Sequence, residues 1–200
     1  MNEKPIKNKR IAFLATDGFE ESELFEPMHV LQNAGAIVDI ISLQKGHITA
    51  WNKDAWGKSV RVDFDAAHAD ATEYAALVIP GGVMNPDKLR MSKEAIRFAE
   101  QFSNAGKPIA AICHGPWVLI EMGILNGRHV TSWPSLKTDL KNAGAHWVDV
   151  PVIADNGLIT SRKPEDIPFF CKKIIEEIME EAHTPHKSKK ADQVQPSVTQ

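Results

Sequence analysis

The sequence predicts an α/β domain built as a three-layer sandwich around a mostly parallel central sheet, and three observations carry that expectation. Short, continuous apolar runs at residues 11–15, 75–79 and 108–112 have the composition of strands buried on both faces. Turn signals stop these runs abruptly: Thr16-Asp17-Gly18, Pro80-Gly81-Gly82 and Cys113-His114-Gly115-Pro116. Segments with helical apolar spacing alternate with strand-like runs along most of the chain, the rhythm of a parallel sheet covered by helices on both sides.

Taken in order, residues 11–15 form the first strand. A helix follows on Leu24, Met28 and Leu31 and stops at Asn33-Ala34-Gly35. Residues 36–43 read as a second strand, 46–51 and 59–62 as shorter edge pieces, and 75–79 as another buried strand. A helix over 91–104 has Ile96 and Phe98 among its apolar positions; strand 108–112 and a mostly apolar helix over 117–122 come next. The alternation continues through a strand at 129–132, a helix at 136–142, strand pieces near Trp147, Val152 and Ile159, and a last helix from 165 to about 181. Residues 182–200 lose all periodicity and are expected to form a mobile tail. The division is therefore an N-terminal extension over 1–9, one domain over 10–181 and the tail.

Composition bounds the function. A chain of 200 residues, 43% of them hydrophobic, supports one core. Its 23 basic and 26 acidic residues give a net charge of -3, with the cations scattered, which argues against stable nucleic acid binding. The longest uncharged apolar-rich stretch, 108–120, contains Gly and Pro and is too short to span a bilayer. The lysine-rich start lacks the apolar region and cleavage site of a secretory signal, so a cytoplasmic protein is expected. Cys113 and Cys171 need no disulfide in that compartment.

Cys113 is the leading candidate for a reactive group. It lies at the carboxyl end of a predicted central strand, where ligands bind in open α/β sheets. The Gly115-Pro116 turn into a helix has the geometry of a nucleophile elbow, and the amides of that helix are expected to favour a thiolate. Cys171, in Phe169-Phe170-Cys171 on the last helix, reads as core filler. His114 is placed to act as a base or to donate to a developing anion. Gly81 and Gly82 let the backbone approach a ligand and, with the His114 amide, could make an oxyanion hole. Asp17 as N-cap with Glu20 three residues on fits a capping box, and Glu20 equally fits an acid acting on Cys113. Trp117 and Trp133 are candidate pocket walls, while Trp51 and Trp56 flank a loop whose rings could mark a subunit contact. The histidines show no ligand spacing near both cysteines and the glycines make no phosphate-loop pattern, so neither metal nor cofactor is expected.

The motifs Asp17-Gly18-Phe19-Glu20-Glu21, Ile79-Pro80-Gly81-Gly82, Ala111-Ile112-Cys113-His114-Gly115-Pro116, Lys141-Asn142-Ala143-Gly144-Ala145 and Thr160-Ser161-Arg162 together resemble the PfpI-type family of the ThiJ/PfpI superfamily, related to the human Parkinson-associated deglycase-like protein. The resemblance covers about residues 10–181 and implies a flavodoxin-like, class I glutamine amidotransferase-like fold. It implies Cys113 as nucleophile, Glu20 as the buried acid bonded to it, His114 as base, and Gly82 and His114 amides at the oxyanion. Asp87 falls where the protease-named members carry an acid, often glutamate, that reaches the histidine of another subunit. The implied activity is stress-protective: a cysteine enzyme converting glyoxal or methylglyoxal, or their early adducts on protein side chains and nucleotides, to glycolate or lactate without glutathione. The alternatives are an oligomeric cysteine peptidase or amidase, and a redox sensor or chaperone with an oxidisable Cys113. A homodimer or homohexamer is expected.

Overall fold

The computed structural model describes residues 4–180 and 184–185. The parallel sheet starts with β1 (Arg10–Leu14), which passes through α1 (Glu21–Asn33) to β2 (Ile37–Ser42). A hairpin, β3 (Gly46–Asn52) and β4 (Ala55–Val62), leads to the short edge strand β5 (Phe64–Asp65). The chain then crosses to the other side of β1 as β6 (Ala76–Ile79), followed by α2 (Met84–Met91), α3 (Lys93–Asn104), β7 (Ile109–Ile112) and α4 (Pro116–Glu121). Strands β8 (His129–Val130) and β9 (His146–Trp147) flank α5 (Lys137–Asn142), and the hairpin β10 (Val152–Asp155) and β11 (Leu158–Ser161) precedes α6 (Ile167–Met179).

The seven-stranded sheet has the order β10-β11-β7-β6-β1-β2-β5, parallel throughout except for β10. Five of its six parallel strands, β2-β1-β6-β7-β11, reproduce the flavodoxin-like order, with the topological switch point between β1 and β6. Alternation along each strand divides the core into two layers. Leu14, Leu77, Ile79, Ile109 and Ala111 pack with Phe98, Phe102 and Leu119 of α3 and α4. Ile11, Phe13, Val78, Ala110 and Ile112 pack on the opposite face with Leu24, Leu31, Phe170 and Ile174 of α1 and α6. Each fully buried phenylalanine of these layers contributes about 2–3 kcal/mol of transfer free energy, so the sheet is clamped from both sides and its strand ends are held in fixed register.

Several expectations need correction. The expected helix 91–104 is α3, Lys93–Asn104, and a separate helix, α2 (Met84–Met91), precedes it where none was expected. Ser92 has extended backbone and its Oγ accepts from Ala95 N at 3.2 Å, which caps α3 and separates it from α2. Pieces 46–51 and 59–62 are not sheet edges but the β3–β4 hairpin, and 129–132 and Trp147 pair as β8–β9 outside the main sheet. The part of the N-terminal extension from Lys4 to Lys9 docks on the domain: Ile6 is buried, and Ile6 N and Asn8 N donate to the carbonyls of Ala34 and Gly35. Most of the expected tail, 182–200, lies outside the described residues.

Candidate active site

The carboxyl ends of β1, β6, β7 and β11 open on one side of the sheet, and the loops leaving them build a cleft of about 460 Å³ lined by Glu20, Glu23, Trp51, Gly82, Val83, Cys113, His114, Trp133 and Pro164. Cys113 is the first residue beyond β7. Its N–H donates to Ser161 O at 3.0 Å and its carbonyl accepts from Trp133 N at 3.0 Å. Held from both sides, it adopts φ +61°, the left-handed region in which a non-glycine residue costs roughly 1–2 kcal/mol. The sharp turn leaves the side chain 8% exposed at the floor of the cleft.

The carboxyl group against Cys113 belongs to Glu23, not Glu20. Glu23 is in the first turn of α1, entirely buried, and its Oε2 accepts from Gly81 N at 2.9 Å. Its other oxygen, Oε1, has no hydrogen-bond partner among the described residues, while the carboxyl interacts electrostatically with the neighbouring Cys113 side chain. Desolvation pushes Glu23 up to about 8, against the opposing pull of the Gly81 amide. Glu23 therefore holds a proton at neutral pH. A proton on the orphaned Oε1 gives the carboxyl a donor that the sulfur can accept once it carries negative charge; left unpaired, such a buried polar atom costs about 1–3 kcal/mol.

Glu20 occupies a different place. It is the N-cap position of α1, half-buried at the cleft rim, where its Oε1 accepts from Ser22 Oγ at 3.2 Å. Helix α1 starts too late for Asp17 to cap it, so the capping box does not form; Asp17 Oδ1 instead accepts from Thr49 N at 2.8 Å. That bond, with Gly18 N to Thr49 O and Trp51 N to Phe19 O, docks the β3–β4 hairpin on the loop after β1 and brings Trp51 into the cleft. Trp56 meets the Trp51 ring edge-on at 5.5 Å and remains exposed.

The expected low-pKa thiol is also not what this environment sets up. Burial pushes Cys113 up, and a negative charge on Glu23 pushes it further; the amides of His114 and Gly82 pull the other way. Those two amides, rather than a series from α4, face the sulfur. The N–H groups of Gly115, Trp117 and Val118 are committed to the carbonyls of Ile112, His114 and Gly115. Gly81 likewise gives its amide to Glu23 and so leaves the expected oxyanion set of Gly81, Gly82 and His114. Both glycines are required by close approach. A Cβ on Gly81 would sit 2.5 Å from Glu23 Oε2 and 2.6 Å from Cys113 Cβ; Gly82 has φ +75° and a Cβ there would sit 2.4 Å from Gly18 O.

His114 Nδ1 lies 3.3 Å from Cys113 Sγ and its Nε2 lies 3.4 Å from Ser135 Oγ. Desolvation pushes the imidazole down, which leaves it a neutral base at neutral pH. Trp133 stacks beside the ring at 6.2 Å and lines the cleft. Trp117 backs the ring edge-on at 5.3 Å from outside the cleft wall, with its Nε1 donating to Asp139 Oδ2. Asp87 is exposed on α2 and is not the partner of His114 within the protomer, where Ser135 takes that position. Cys171 is buried in the α6 core layer.

Sequence reasoning missed Glu23 and Asn85. The signal for Glu23 is its phase: residues 23, 24, 27 and 31 form the buried stripe of α1, so the acid stands in an apolar line. Asn85 is fully buried, donates through Nδ2 to Pro80 O at 2.8 Å and Gly81 O at 3.2 Å, and accepts at Oδ1 from Thr16 N at 2.7 Å. It ties the loop after β1 to the loop after β6, the two that hold Glu23 and the Gly81 amide together.

The family model described as the DJ-1/PfpI family matches residues 9–177. The chain is 39% identical to "Deglycase PH1704" of Pyrococcus horikoshii over 83% of its own length and 97% of that protein, and 39% identical to "Putative cysteine protease YraA" of Bacillus subtilis over 82% and 94%. Among solved structures, a two-domain protein with DJ-1/ThiJ/PfpI-like and ferritin-like domains from Anabaena variabilis superposes with a TM-score of 0.81 at 34% identity, over 92% of this chain and 52% of that one. The present chain thus spans about half of that two-domain protein. With its flavodoxin-like sheet, its cysteine at the elbow after β7 and these matches along nearly all of its domain, the chain belongs to the DJ-1/PfpI family.

Proposed function

We propose that the protein is a cysteine-dependent enzyme of the deglycase or glutathione-independent glyoxalase type, acting on glyoxal and methylglyoxal or their early adducts. The observation that carries the reading is the trio of Cys113 at φ +61°, protonated Glu23 beside its sulfur and neutral His114 at 3.3 Å. A thiol that is protonated at rest needs a base at the moment of attack. His114 Nδ1 takes the Cys113 proton as sulfur adds to the aldehyde carbon, and the oxyanion forms beside the Gly82 and His114 amides. Glu23 keeps its proton and donates to the sulfur. His114 returns its proton to the oxyanion, giving a hemithioacetal. The same imidazole then takes the proton from the former aldehyde carbon and delivers one to the neighbouring carbonyl carbon, while the hydroxyl proton of the hemithioacetal passes to the neighbouring carbonyl oxygen, so that the first carbon is oxidised to a thioester and the second reduced to an alcohol. Water cleaves the thioester and restores the thiol, so the net change is addition of one water to the dicarbonyl.

The test is lactate formation from methylglyoxal by purified protein in the absence of glutathione. Many equivalents from wild type and none above background from Cys113→Ala support the reading, and no lactate from wild type overturns it. A cysteine peptidase is the second reading, favoured by the 39% identity to the protein named a putative cysteine protease. It shares Cys113 and His114 and is separated by release of amines from peptide substrates. A redox sensor or chaperone would instead record one oxidation per chain without turnover. We also propose a homo-oligomer in which Asp87 approaches the partner's site, which solution scattering would test, and a cytoplasmic location; no helix among the described residues is long and apolar enough to cross a membrane.

A further inference from the structure

We propose that Glu20, together with the indoles of Trp51 and Trp133, sets a charge preference in the cleft: carbonyl substrates bearing a guanidinium or ammonium group are taken ahead of neutral ones, and anionic ones are disfavoured. The inference rests on the carbonyl chemistry proposed above and goes beyond it in assigning a specificity role to residues that take no part in the bond changes. Neither Lys nor Arg is among the described residues lining the cleft. Glu23 holds its proton and His114 is neutral, so neither supplies a charge to substrate at neutral pH. Glu20 remains. It is half-buried at the rim: desolvation raises it from the ordinary carboxylate value, the hydrogen bond from Ser22 Oγ opposes that rise, and it is the remaining lining group able to present a carboxylate to substrate.

The walls beside it suit a cation. Trp51 and Trp133 present large aromatic surfaces whose π faces attract guanidinium and ammonium groups. The groove that adjoins the cleft at Glu20 and Pro164 continues the same sign, adding Glu21, Glu26 and Glu165 against Lys53 and Lys58. Lys58 is already held by Glu21 at 3.4 Å, and Lys163 lies 3.9 Å from Glu165. Arg162 is committed to Asp149 and Asp166. A substrate tail leaving the reacting carbon toward this rim therefore meets net negative potential. At a separation of roughly 7 Å and a dielectric between interior and water, one carboxylate changes kcat/KM by about five- to tenfold in opposite directions for a cation and an anion. Adducts on arginine side chains fit this preference, and phosphate-bearing adducts oppose it.

Three aryl glyoxals test the assignment: phenylglyoxal and its 4-trimethylammonio and 4-carboxy derivatives, each converted to a mandelate, with methylglyoxal as reference. None is an amine adduct, so scavenging of released aldehyde does not enter. Substituent electronics are common to every protein variant, so the readout is the cation-to-anion ratio of kcat/KM compared between wild type, Glu20→Gln and Glu20→Lys. The proposal expects this ratio to fall at least tenfold in Glu20→Gln and further in Glu20→Lys, and the wild-type ratio to shrink with added salt. A ratio that is the same in all three proteins, or insensitive to salt in wild type, overturns the charge assignment while leaving the carbonyl chemistry standing. Absence of turnover of every glyoxal by wild type overturns the carbonyl reading and this inference with it.

Discussion

Replacement of Glu23 by glutamine isolates the most unusual energetic feature of the protein. The glutamine side chain is nearly isosteric, can accept from the Gly81 amide through its oxygen and can present an N–H to the sulfur, but it does not titrate. In the wild type, burial moves the Glu23 carboxyl from an ordinary 4.5 to about 8. The folded state thus retains a proton that the unfolded chain releases near 4.5. The associated stability is fully present below 4.5, declines as pH rises, and is lost by the time pH passes about 8. At 1.36 kcal/mol for each tenfold change in proton affinity, the full swing has a ceiling of about 5 kcal/mol. Relaxation and water entry reduce it, and a difference of about 2 kcal/mol or more is the expected result. Urea unfolding of wild type and Glu23→Gln at pH 5 and pH 8 measures it: the wild type should lose at least that much more stability than the variant over this interval. The activity profile carries a second readout. Wild-type turnover should fall as pH rises through about 8, because an ionised Glu23 repels the developing thiolate, whereas this limb should be absent in Glu23→Gln. Equal pH dependence of stability in the two proteins would refute the account of a protonated, buried Glu23.

Two further substitutions test how the cleft is held. In Gly81→Ala, a Cβ within 2.6 Å of both Glu23 and Cys113 forces one of them to move, so about 1–3 kcal/mol of stability and most of the turnover should be lost in calorimetry and lactate assays. Asn85→Ala removes three buried hydrogen bonds, one to Thr16 in the loop after β1 and two to Pro80 and Gly81 in the loop after β6; an unfolding free energy lowered by about 2–4 kcal/mol is expected, with kcat lowered more than binding is weakened.

The residues differ in how openly they announce these roles. Strands β1, β6 and β7 were legible because both-face burial leaves continuous apolar runs, and Cys113 because such a run ends on it. Helix α2 was hidden because Asn85-Pro86-Asp87 behind the Gly81-Gly82 turn reads as loop, whereas Ser92 ahead of Lys93-Glu94 is the capping signal that starts α3. Glu20 attracted the catalytic assignment because it stands in a loop beside Asp17 and Gly18. Glu23 is the deeper acid only because α1 starts at Glu21 and turns the Leu24, Pro27 and Leu31 stripe toward the sheet. The docking of Trp51 on Phe19 and of Asp17 on Thr49 depends on tertiary contacts between segments about thirty residues apart, which no local pattern encodes. The same is true of Ser135 opposite His114 and of the pairing of β8 with β9.

The central claim is that Cys113 carries the carbonyl substrate through a covalent cycle. Rapid-quench intact-protein mass spectrometry during methylglyoxal turnover tests it most directly, with the modified residue located by peptide mapping. The account predicts an adduct confined to Cys113 that appears before lactate and decays at a rate no slower than kcat. Lactate formed with Cys113 unmodified throughout, or an adduct that accumulates once per chain and never decays, would contradict it.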